Sequence, residues 1–130
     1  MPHIHIDYSP NLAERLDMGG FCDAIRVAAI ETGIFPVAGI RVRATACDHV
    51  AIADGNARHA FLDISIRLRA GRPMDAKEKA VRHIFACAED FCAHVMAGSS
   101  FMLSMEMRDI DPALSPKASS IRNYLSGDPE

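Results

Sequence analysis

One hundred and thirty residues, 49% hydrophobic and 24% charged, are enough for one domain with its own core and no need of disulfides or a structural metal. The formal net charge of −3 excludes a generally basic surface for nucleic acid or anionic membrane, so an anionic ligand must be held by a few local cations. Nothing in the chain reads as a membrane span or a cationic, apolar leader. Cys22, Cys47, Cys87 and Cys92 lack C-x-x-C spacing, which predicts reduced thiols in the cytoplasm.

The chain runs from Met1 directly into "PHIHIDY", where Ile4, Ile6 and Tyr8 alternate with His3, His5 and Asp7 at the period of a strand. Ser9-Pro10 punctuates it. A short helical turn is expected over Asn11 to Leu16. Asp17 is then the predicted N-cap of a helix from Met18 to Thr32 that turns Ile25, Ala28 and Ala29 inward and stops at Gly33. Gly19-Gly20 argues against one continuous helix from Asn11. "IFPVAG" is a connector and "IRVRATACDHV" a strand, with Arg41 and Arg43 on one face.

"ADGNAR" marks a turn or extended loop. "HAFLDISIRLR" is the clearest strand, with Ala60, Leu62, Ile64, Ile66 and Leu68 on one face and Phe61, Asp63, Ser65, Arg67 and Arg69 on the other. Beyond "AGRP", Asp75 and Glu78 have capping-box spacing at the head of a long helix. Its Val81, Ile84, Phe85, Ala88, Phe91 and Val95 form an apolar stripe. Gly98-Ser99-Ser100 ends that helix, and "FMLSMEMRDI" alternates as a last strand. The tail from about residue 111 to 130 is turn-rich, with one short helix expected near Ser119 to Leu125.

The order strand, helix, strand, repeated once, predicts an α+β fold: two βαβ units forming a four-stranded mixed sheet with both helices on one face. The other face would carry His3, His5, Asp7, Asp63, Arg67, Arg69, Glu106 and Arg108. It is expected to meet other subunits, with a plain solvated face as the alternative.

Three groups carry chemistry. Removal of Met1, which a following proline favours, would expose the secondary amine of Pro2. Partial burial and nearby cations would then hold it uncharged near neutrality as a proton-transfer base. Arg41 and Arg43 on one strand face and Arg72 just beyond a strand suit the bidentate recognition of carboxylates, against the plainer alternative of cross-strand pairing with Asp7, Asp63 or Glu106. His3, His5 and Asp7 share a face at a spacing that could ligate a metal, although packed or hydrogen-bonded histidines explain it more simply.

"MPH", "TGIFPVAGIRVR" (Thr32 to Arg43), "ADGNARHAF" (Ala53 to Phe61) and "AGRPM" (Ala70 to Met74) together resemble the tautomerase superfamily. Within it, the chain is similar to the 5-carboxymethyl-2-hydroxymuconate Δ-isomerase family of homoprotocatechuate breakdown, from Pro2 to about Leu125. The resemblance implies a subunit like macrophage migration inhibitory factor, a homotrimer, and a site near a subunit boundary that uses no metal or organic cofactor. It implies Pro2 as the catalytic base and Arg41 and Arg72 as the groups holding a small carboxylate substrate. The activity implied is isomerisation of a dienol to an unsaturated ketone. The same superfamily leaves open a phenylpyruvate-type tautomerase, a hydratase or a dehalogenase. Phe35, Phe61 and Tyr124 are candidates for an aromatic wall.

Overall fold

A computed structural model describes residues 1–126. Its elements are β1 (Pro2–Tyr8), α1 (Met18–Thr32), β2 (Arg41–Ala46), β3 (Ala60–Arg69), α2 (Met74–Phe91), α3 (Ala93–Gly98) and β4 (Phe101–Ile110), with short 3-10 turns between and after them. Each half is a βαβ unit with parallel strands, β1 beside β2 and β3 beside β4. The halves join through antiparallel β1 and β3, giving the sheet order β2-β1-β3-β4. The mixed sheet of two βαβ units is the architecture the alternating patterns predict.

The period of two sorts the faces. Ile4 and Ile6 of β1 and Leu62, Ile64, Ile66 and Leu68 of β3 are fully buried, against Phe21, Ile25, Ala28 and Ala29 of α1 and Ile84 and Ala88 of α2. Phe21 and Phe91 lock the helices edge to face at 5.4 Å. Burying a side chain of this size contributes roughly 1.5–3 kcal/mol, so this sandwich fixes the positions of everything at the strand ends. The far face stays polar and open: Arg41, Arg43, Arg67, Glu106 and Arg108 are exposed, and Ser104 donates to the Asp63 carboxylate at 2.7 Å.

The caps of α1 form as the sequence predicts. Asp17 accepts a hydrogen bond from the Gly20 N–H at 3.1 Å, and Gly33 ends the helix at φ 73°, a backbone region that glycine enters without steric cost. Asn11 to Leu16 yields a 3-10 turn at Pro10–Leu12, not a full helix.

Four further expectations are corrected. β2 stops at Ala46 rather than continuing to Val50, because Ala46 is paired with Tyr8, the last residue of β1 before Ser9-Pro10. The Asp75–Glu78 capping box does not form. The helix starts at Met74 with Pro73 as its cap residue, so Asp75 is already inside the first turn, where its carboxylate accepts from the Ala76 N–H. The long helix is interrupted at Cys92 (φ −94°, ψ 6°), and its buried stripe, which includes Ala80, continues across the break through Ala88, Cys92 and Val95. In the tail, the helix expected from Ser119 to Leu125 is a 3-10 turn at Ile121–Tyr124; residues 127–130 of that segment lie outside the described residues.

Candidate functional site

The alternation that buries Ile4 and Ile6 also buries Pro2, opposite Leu68 at the end of β3. Met1 is 6% exposed and lines a cavity of about 430 Å³. One wall comes from the connector before β2 (Pro36, Ala38, Gly39) and from Arg41. The other comes from the tail, including Lys117, Ser119, Arg122 and Asn123. Gly39 is required here: a Cβ on it would run into the backbone nitrogen and Cα of Met1.

The cavity's charged lining is wholly cationic, Arg41, Lys117 and Arg122, in a chain whose formal net charge is −3. The electrostatic consequence falls on the chain start. Burial, then Lys117, Arg41, Arg72 and Arg69 in that order, lower the pKa of the Met1 amine from its ordinary value near 8 to about 6. An amine at this position is therefore largely free base at neutral pH.

Arg41 lines the cavity together with Met1, while Pro2, the next residue, is buried and is not in the lining. Arg72 is not in the lining either, but it is among the cations acting on the amine. Neither arginine has an acidic partner among the described residues, so the cross-strand pairing alternative fails. Arg41 donates from Nε to the Gly39 carbonyl at 3.2 Å and from Nη2 to His3 Nε2 at 3.3 Å. Arg72 donates from Nε to the Ile34 carbonyl at 3.1 Å and from Nη1 to the Arg69 carbonyl at 3.2 Å. Backbone carbonyls thus fix both guanidinium groups without neutralising them, leaving further N–H donors for a carboxylate.

No group of three or more His, Cys, Asp or Glu among the described residues is arranged to hold a metal ion. His3 turns to Arg41, while His5 lies 3.4 Å from Asp7 and 3.3 Å from Thr45. The three candidate aromatics do not line the cavity: Phe35 is in the core, Phe61 lies against Ser9, and Tyr124 is exposed beside it in the tail. A separate cluster, in which His59 bridges Ser100 (2.6 Å) and Asp54 (2.7 Å), ties the loop before β3 to the start of β4.

Sequence reasoning missed the tail's contribution. Its signal was compositional: Lys117 and Arg122 are the sole charged residues from Pro112 to Ser126. Cations without acidic neighbours in a turn-rich segment have no helix face to solvate, and here they are turned to the cavity.

A family model described as 5-carboxymethyl-2-hydroxymuconate isomerase matches residues 2–125. The chain belongs to that family. It is 30% identical over 121 residues to a 5-carboxymethyl-2-hydroxymuconate Delta-isomerase of Escherichia coli, covering 93% of this chain and 96% of the relative. A crystal structure of a 5-carboxymethyl-2-hydroxymuconate isomerase from Deinococcus radiodurans R1 is 29% identical. It superposes with a TM-score of 0.88 over 96% of this chain and 95% of that one. At the level of fold alone, the chain is similar to a fused 4-OT described as a symmetric trimer. The TM-score there is 0.62 at 16% identity, over 87% of this chain and 91% of the other. The family assignment makes the protein an isomerase of the tautomerase type, as the opening and connector motifs suggested. No helix among the described residues is long and apolar enough to cross a membrane.

Proposed function

We propose that the protein isomerises 5-carboxymethyl-2-hydroxymuconate, a dienol with three carboxylates, to its unsaturated ketone, with Pro2 as the base and no cofactor. The observation that carries this reading is the placement of the chain start in a cavity whose charged side chains are all cations, with its amine held largely uncharged. Met1 lines this cavity, so its removal both enlarges the cavity and converts the Pro2 nitrogen from an amide to a basic secondary amine.

The free Pro2 amine takes the proton from the 2-hydroxyl. The oxygen becomes the carbonyl, the conjugated double bonds shift by one position, and the ammonium returns the proton to the far carbon of the former diene. One base serves both positions because the dienolate spreads its charge between them. Arg41 and Arg72 hold carboxylates and offset the dienolate charge, and their backbone-fixed geometry makes that field preorganised.

The open polar face of the sheet, together with the trimeric relative of the same fold, supports assembly as a homotrimer. The free thiols and the substrate, a small carboxylate of aromatic breakdown, support a cytoplasmic enzyme acting without nucleic acid or membrane partners.

The test is to mix the purified protein with the dienol and follow loss of its ultraviolet absorbance, beside an arylpyruvate and a haloacrylate. Rapid conversion of the dienol that falls by about tenfold or more in Pro2→Ala supports the reading, since a positioned base is worth about 10²–10⁴-fold and alanine leaves a primary amine behind. Turnover of the arylpyruvate alone would replace it with a phenylpyruvate-type tautomerase, and turnover of the haloacrylate alone with a dehalogenase.

A further inference from the structure

The substrate proposed above has three carboxylates, whereas Arg41 and Arg72 supply two forks. We propose that Lys117, brought in by the C-terminal segment, binds the remaining carboxylate and so sets a preference for the triacid over a diacid. This rests on the isomerase reading and specifies which residues select its substrate.

After the 3-10 turn at Pro112–Leu114 the chain returns to the open end of β1, and Lys117, Ser119, Arg122 and Asn123 form the cavity wall facing Pro36 and Gly39. Nothing in the described structure neutralises Lys117: it has no acidic or hydrogen-bonding partner among the described residues and is exposed toward solvent and cavity. An ammonium on a flexible stem suits a carboxylate at the end of a rotatable carboxymethyl arm, whose position a rigid guanidinium fork would match less readily.

Two cations of the tail line the cavity, and the chain start distinguishes them. Lys117 is the foremost charge acting on the terminal amine, ahead of Arg41, Arg72 and Arg69, whereas Arg122 is not among the charges acting on it. Lys117 is therefore the tail cation whose charge bears on the chain start. His3, the titratable neighbour on β1, is itself disfavoured as a cation by burial and by Arg41, so it adds no competing charge at neutral pH.

The experiment compares Lys117→Ala and Lys117→Arg with the unmodified chain on two substrates, the triacid and 2-hydroxymuconate, which lacks the carboxymethyl arm. Loss of an ionic hydrogen bond is expected to raise KM for the triacid about tenfold or more, leave the diacid's KM nearly unchanged, and be only partly rescued by arginine, which restores the charge but not the reach. The acid limb of the pH profile should also move to higher pH in Lys117→Ala for both substrates, because a cation disfavouring the ammonium has gone.

A selectivity ratio unchanged by Lys117→Ala would overturn the assignment, whether both substrates suffer equally or neither does. Pro2→Ala, run alongside, separates the two levels. If it retains full triacid turnover, the base reading itself fails; if it loses turnover while selectivity ignores Lys117, only the tail's role fails.

Discussion

Arg41 donates from Nη2 to His3 Nε2 across the β1–β2 pairing, and the other ring nitrogen of His3, Nδ1, is buried with no partner among the described residues. Accepting at Nε2 leaves the ring proton on Nδ1, so this contact requires a neutral imidazole. Burial first, then Arg41, Arg67, Arg43 and the terminal amine, lower the His3 pKa below its ordinary value. The folded chain therefore binds fewer protons at His3 than the unfolded chain does. Stability rises with pH through the window beneath about 6.5, and the penalty is absent above it. Urea midpoints at pH 5.5 and 7.5 are expected to differ more for the unmodified chain than for His3→Gln. Equal differences would show that His3 carries no such penalty.

Arg41→Ala and Arg72→Ala are expected to raise KM for the dienol about tenfold or more each, the scale of roughly 1.5–3 kcal/mol for a hydrogen bond to a charged group. Arg72→Ala should also cost about 1 kcal/mol of stability, because the Ile34 and Arg69 carbonyls lose their donor. Steady-state kinetics with thermal melts separates these effects. Normal kinetics in both variants would remove the carboxylate clamp.

Gly39→Ala tests the approach of the chain start to the connector. With Met1 in place the new methyl strikes its backbone, and with Met1 removed it fills space beside Pro2. Turnover is expected to fall about tenfold with the far-ultraviolet spectrum unchanged, because with Met1 gone the methyl intrudes into the cavity at the chain start, where a small displacement of substrate is costly. Full activity in Gly39→Ala would place the reaction elsewhere.

Most of the fold was legible because period-two runs and caps report on local backbone. "HAFLDISIRLR" and Asp17 with Gly33 are found where the pattern puts them. What a local pattern cannot carry is the partner. β2 ends where β1 does, which "IRVRATACDHV" alone does not contain, and Asp75 with Glu78 mimics a cap two residues inside the helix. At the site, Pro2 and Arg41 were visible as chemically unusual residues at strand ends. Lys117 was not, because its role depends on a tail without periodicity folding back across the sheet.

Cys92 should be inert in the native protein. It is 1% exposed, and burial pushes its thiol pKa up to about 11, so little thiolate exists at pH 8. Thiol labelling read by peptide mass should find Cys92 modified only after denaturation. Rapid native labelling would mean that the α2–α3 junction opens.

The account turns on a free ring nitrogen at the chain start, so the decisive measurement is the intact mass of a preparation whose turnover with the dienol has been determined. The predicted result is a fully active protein lighter than the encoded chain by one methionine residue, with Pro2 first. Full activity in protein that still carries Met1 would contradict it: the Pro2 nitrogen would then be an amide, and the primary amine of Met1 would stand in the cavity in its place.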